Sequence, residues 1–203
     1  MDNRITVQIS AKASILLACM LLLLPIQWVG AAILAAAVHE CFHCITIVLM
    51  GGRIKSIYIG ARGAFIDVEP MSGMREAVCA LAGPIGSFLM VILIRRMPRT
   101  AVCGLVHGLY NLLPMLPLDG GRVLRGILTS VLKPPVAQKC LLWSKRIVVA
   151  LLSFVCLMVA ARVSMIPLVI LLCFILIRCR ENSLAKNRFW RYNRDNMDEE
   201  VRL

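Results

Sequence analysis

Apolar residues come along this chain in long runs separated by short polar gaps. They neither alternate at the period of a half-buried strand nor stripe one face of a surface helix. A helix that is apolar all round belongs in lipid or deep in protein, and a bilayer span needs roughly 20 such residues. The runs predict helices at residues 11–24, 26–50, 74–94, 101–132, 147–161 and 163–177. Pro25 parts the first two, Gly51-Gly52 ends the second, and Lys133-Pro134-Pro135 reads as a turn after the fourth. The fourth run is broken at 111–121 by "NLLPMLPLDGG", and residues 181–203 read as a charged tail.

Between the second and third runs the pattern changes. In "GGRIKSIYIGARGAFIDVEP", β-branched and aromatic residues flank Gly60-Ala61-Arg62-Gly63, which predicts a β-hairpin over 53–69. This is the one strand signal the pattern carries. Two strands alone are marginal in water, so the hairpin should lean on the membrane, the helices or a partner strand. The expected fold is therefore an all-α polytopic membrane protein, with about six transmembrane helices in residues 1–180 and a small β-hairpin between the second and third.

Composition agrees with that reading. The chain is 60% hydrophobic, which sets it apart from soluble domains at about 45–50%. Its net charge of +12 sits in the gaps and tail, where Lys and Arg fix topology by the positive-inside rule. No gap joins basic and aromatic residues into a reading surface, so nucleic acid is not an expected partner. The charges favour an integral membrane protein with both termini cytoplasmic. "RRMPR" at 95–99 falls on the opposite face and is not explained by that rule. The nine cysteines are odd in number and mostly lie singly in apolar runs, as reduced packing residues do. Residues 13–25 resemble a signal-peptide core but lack a small-x-small cleavage site, so a retained first span is expected.

The second run contains "VHECFHCI" at 38–45. On a helix at about 100° per residue, His39 and His43 lie about 40° apart on one face, one turn above the other. Two imidazoles so placed can hold one zinc ion through ring nitrogens. Glu40, on the flank of that face, reaches a water beside the metal better than the metal itself, the H-E-x-x-H arrangement with Glu as general base. A carboxylate mid-span costs about 2.5–3.5 kcal/mol on insertion scales and needs a partner or a function to offset it. Cys41 and Cys44 suggest a redox pair or ligands, but Cys41 lies about 160° from His43 around the axis and Cys44 about 100°. Packing suits both better.

A catalytic zinc site usually takes three protein ligands and leaves one position open. Asp119, in the broken stretch, is the notable acid outside gaps and tail. Irregular backbone at membrane depth is tolerated only where it is buried in protein or lines a wet cavity, and there a carboxylate could meet a metal. Asp119 could also cap the helix that follows. His107 reads as a helix–helix hydrogen-bond partner. Asn111, four residues on, could hold a substrate peptide group or an oxyanion.

"HECFH" and "NLLPMLPLDGGR" together resemble the motif pair of the site-2 protease family of intramembrane zinc metalloproteases. The resemblance covers about 26–132 and implies one zinc ion held by His39, His43 and Asp119, with Glu40 as base and acid and Asn111 as the asparagine that opens the second motif. "AGPIGSF" at 82–88 resembles the family's Gly-Pro segment, with a departure near Ser87, where Asn is usual. The short chain is most similar to the sporulation-type members without a PDZ domain. That implies a membrane-associated substrate such as a pro-sigma or anti-sigma factor, and an inhibitory membrane partner would fit the same subgroup. A non-catalytic zinc scaffold of the same fold and, more weakly, a metal transporter are the competing functions. An intact Glu40 favours the protease.

Overall fold

The computed structural model describes residues 6–60, 63–69 and 71–160. A strand β1 (Thr6–Ile9) leads into helix α1 (Ala11–Leu23), and Pro25 separates it from α2 (Ile26–Leu49). Two strands follow, β2 (Ile54–Gly60) and β3 (Gly63–Val68), then α3 (Gly73–Leu89), which tightens into a 3-10 turn at Met90–Leu93. Next come α4 (Pro98–Asn111), α5 (Asp119–Val131) and α6 (Pro134–Ala160).

The expected hairpin forms, with Ile57 opposite Ile66 and Gly60 opposite Gly63. Its partner strand is β1, which pairs parallel to β2 from Thr6 against Ser56 to Ile9 against Ile59, giving the order β1-β2-β3. The strand "TVQI" escaped the sequence reading because four residues are too short to show a period, and the pairing that stabilises them is fifty residues away in sequence. Ser10 ends the strand and starts the helix: its amide donates to Ile59 O, and its hydroxyl accepts from the Lys12 amide.

Two helices are long and apolar enough to cross a membrane, Ile26–Leu49 and Gly73–Leu93. In α2 the buried residues Ala31, Ala35, His39, His43 and Ile47 recur every four positions, so a single narrow stripe faces protein. Much of the rest of α2 is apolar and exposed, including Ile33, Leu34, Ile45, Val48 and Leu49, and α1 buries none of its residues, the surface expected of helices bathed by lipid. The fourth run is two helices, broken over 112–118 close to where the prolines predicted. The turn expected at 133–135 is shorter than foreseen. Pro134 starts a helix because a first-turn proline needs no amide, and α6 then runs through the gap expected before 147. The run at 163–177 and the tail lie outside the described residues.

The chain divides into two units, residues 1–141 and 142–203. In the first, α3 packs against α2, α4 and α5. Small residues let it do so: Ala77, Cys79, Ala80, Ala82, Gly83, Gly86 and Ser87 are all buried on α3. α5 approaches α3 closely, so that a Cβ on Gly126 would lie 2.9 Å from the Ala77 Cβ and collide with the Gly73 carbonyl. In the second unit, Arg146 lies over the Trp143 ring at 5.3 Å.

Gly126→Val should therefore push α5 off α3, at a cost of about 1–3 kcal/mol. Its thermal unfolding midpoint in detergent should fall well below that of Ser130→Ala, a change at an exposed position one turn away.

Candidate metal centre

The stripe on α2 that faces protein carries His39 and His43, one turn apart, both almost fully buried. The loop over 112–118 ends where α5 begins, and the first residue of that helix is Asp119, also buried. Its carboxylate meets the two imidazoles. Oδ2 lies 2.9 Å from His39 Nε2 and 3.1 Å from His43 Nε2, and the two nitrogens are 3.2 Å apart. The helix N-cap is Leu118 and makes no side-chain cap bond, so Asp119 does not have the capping role allowed by the sequence.

Each imidazole is fixed from behind. His43 Nδ1 lies 2.7 Å from the Cys79 carbonyl. A carbonyl only accepts, so Nδ1 carries the proton and Nε2 presents a lone pair. His39 Nδ1 lies 2.9 Å from Ser87 Oγ, a residue with no exposed surface. Such partners set the tautomer and aim of metal-binding imidazoles. The other carboxylate oxygen, Asp119 Oδ1, faces Arg122 Nη1 at 3.6 Å, and Arg122 Nε stands 3.8 Å from Glu76 Oε1. Arg125 donates to the same Glu76 oxygen.

The three donors fit a zinc ion. Two ligand atoms about 2.0–2.1 Å from a tetrahedral zinc lie roughly 3.3 Å apart, and the three observed separations come within a few tenths of that. A lone pair on His43 Nε2 that faces a carboxylate oxygen at 3.1 Å is repulsive unless a cation or a proton lies between them. Gly83 supplies the floor. A Cβ there would stand 2.7 Å from His39 Nε2 and still closer to His43 Nε2, so a larger residue would fill the space in front of both nitrogens. Among the described residues, His39, His43 and Asp119 are the cluster that could hold a metal ion.

Glu40 is half-buried beside His39, and its carboxylate interacts electrostatically with both histidines, Asp119 and Arg122. Cys41 is exposed and Cys44 only part-buried, off the histidine face as the helical angles required. Two residues make contacts that the sequence did not show. Asn111 donates from Nδ2 to the His107 carbonyl at 3.1 Å, one turn back on its own helix. His107, expected to bridge helices by a hydrogen bond, instead stands edge-on to the His39 ring, with centroids 4.5 Å apart. The sequence reading missed both rear partners. Ser87 was visible in "AGPIGSF" but set aside as a departure. The Cys79 carbonyl is backbone and has no sequence signature.

Known proteins bear on this arrangement. The profile of Peptidase family M50 matches residues 68–155, which hold α3, α4, α5 and Asp119. A protein of Synechocystis sp. described as a zinc metalloprotease is 30% identical over 109 residues, 46% of this chain and 29% of its own length. A zinc metalloprotease of Methanocaldococcus jannaschii is 29% identical over 112 residues, 47% of this chain and 32% of that protein. The chain thus spans about a third of the length of these relatives. The solved site-2 protease from M. jannaschii superposes with a TM-score of 0.58 at 19% identity, covering 86% of this chain and 89% of that one, and so shares its fold. With a zinc-compatible triad set in that fold, the chain is similar to Peptidase family M50 over residues 68–155 and shares the fold of a solved site-2 protease.

Proposed function

We propose that this protein is an intramembrane zinc metalloprotease that hydrolyses a peptide bond in or near a membrane-embedded segment of a regulatory protein. The observation that carries this reading is the convergence of His39 Nε2, His43 Nε2 and Asp119 Oδ2 within 3.2 Å, with Glu40 beside them on the same helix. His39, His43 and Asp119 hold one zinc ion. When bound, zinc supplies Lewis acidity at the scissile carbonyl and acidifies water.

The chain's own groups do the rest. Glu40 accepts a proton from the attacking water and returns it to the leaving amine. Ser87 and the Cys79 carbonyl keep both Nε2 atoms aimed at the ion. Arg122 holds the outer oxygen of Asp119, which leaves Oδ2 for the metal. Asn111 turns from its own helix to a substrate carbonyl when one arrives. A helical substrate shields its peptide bonds, so it must be extended before cleavage. Among the described residues β3 has no strand beyond it, so its outer edge is the template for an unwound substrate strand.

On this reading the protein spans the bacterial cytoplasmic membrane about six times, the count set by span length, with both termini cytoplasmic. Its substrate is a membrane-associated regulator of the pro-sigma or anti-sigma kind, and a membrane partner restrains it. The resemblance of "HECFH" and "NLLPMLPLDGGR" to the site-2 protease motif pair supports a membrane-associated substrate.

Three outcomes test the reading with purified protein and a panel of membrane substrates. Glu40→Gln should lose about 10²–10⁴-fold in cleavage rate yet retain one equivalent of zinc by elemental analysis. A variant that cleaves like the parent would leave a zinc scaffold as the better description. Asp119→Ala should bind zinc far more weakly than the parent, and unchanged binding would remove Asp119 from the ligand set. Ser87→Ala should weaken zinc affinity by about 10–100-fold in a chelator competition, with circular dichroism unchanged.

A further inference from the structure

The cluster "RRMPR" at 95–99 has no part in the metal site, and the positive-inside rule does not account for it. In the structure Arg96, Met97, Pro98 and Arg99 line an open cleft of about 310 Å³ with the start of α2. Its walls include Gln27, Leu34, Arg96, Met97, Arg99 and Thr100, and no acidic residue lines it. The cleft lies at the N-terminal end of α2, about 18 Å along the axis from His39 at 1.5 Å per residue.

Three features point to an anion. Two arginines face the cleft with no carboxylate to balance them. The start of α4 contributes the Arg99 and Thr100 amides, which helix geometry leaves without an intrahelical acceptor; the Ala101 amide is the first to find one, at Met97 O. Thr100 is 5% exposed, and its hydroxyl has no hydrogen-bond partner among the described residues. A buried hydroxyl without a partner is costly, and one lining a cleft is a donor in wait for a ligand oxygen.

The setting selects the kind of anion. Gln27 and Arg99 mark a polar rim, whereas Ala31 and Leu34 continue down α2 as an apolar wall. Trp28 is exposed at the same level, where an indole suits the bilayer interface. A ligand with a phosphate at one end and hydrocarbon at the other meets both surfaces. We propose that this cleft binds the phosphate of an anionic phospholipid, with Arg96, Arg99, the Thr100 hydroxyl and the α4 amides on its oxygens. A basic loop on the face opposite the cytoplasm is then explained as a lipid contact and not as a topology signal.

Native mass spectrometry of the full chain, titrated with phosphatidylglycerol and in parallel with phosphatidylcholine of the same acyl chains, tests this. The parent should bind the first phosphatidylglycerol at least 10-fold more tightly than phosphatidylcholine. The double variant R96Q/R99Q should lose that preference, and Thr100→Val should reduce it severalfold. Arg53→Gln/Lys55→Gln, the same charge change at the other end of α2, should retain it. Equal binding of the two lipids by the parent, or full preference in R96Q/R99Q, would overturn the proposal. So would displacement of the lipid by millimolar inorganic phosphate, which would make the ligand a free anion. Circular dichroism of each variant separates lost binding from lost fold.

Discussion

Everything in the membrane half of this molecule is arranged around one contact, Asp119 Oδ2 against the Nε2 atoms of His39 and His43. A carboxylate and two imidazoles in an apolar bundle are costly when unpaired, because apolar surroundings do not solvate them. Together they form a donor set that a divalent cation stabilises. The contact requires a helix on one side and the end of an irregular loop on the other to meet within hydrogen-bond distance. The scaffold gives way to that demand: α3 is built from small residues so that α2 and α5 can both reach across it. The arginine pair on α5 and Glu76 on α3 tie the same helices at the rim of the site.

The histidines, their tautomers and the rear partners form one chain of constraint. Cys79 fixes His43 through a carbonyl, Ser87 fixes His39 through a hydroxyl, and Gly83 keeps the space in front of them open. All three belong to one helix, so a rotation of α3 would disturb both imidazoles at once. His107, edge-on to His39 from α4, closes the site from a further side.

How much of this the sequence disclosed follows from the range of each interaction. The face of α2 was legible because helical geometry is local: a four-residue repeat places His39 over His43 whatever the rest of the chain does. The break before Asp119 was legible because proline and glycine act on their own turn. Strand β1 was not, since four residues become a strand only beside Ser56 to Ile59. The Asn111 bond to its own helix and the ring contact of His107 were equally hidden, because each depends on a rotamer set by packing. Helix α6 beginning at Pro134 shows the reverse error, with a proline read as a stop where it was a start.

The sheet and the basic cleft lie at opposite ends of α2, with the metal site between them. The central claim, however, concerns the donor set, and X-ray absorption spectroscopy at the zinc edge reads it most directly. Zinc-loaded protein should show a first shell of nitrogen and oxygen only, at about 2.0–2.1 Å, with multiple scattering from two imidazoles. A sulfur shell at about 2.3 Å would put Cys41 or Cys44 on the metal and contradict the site described here.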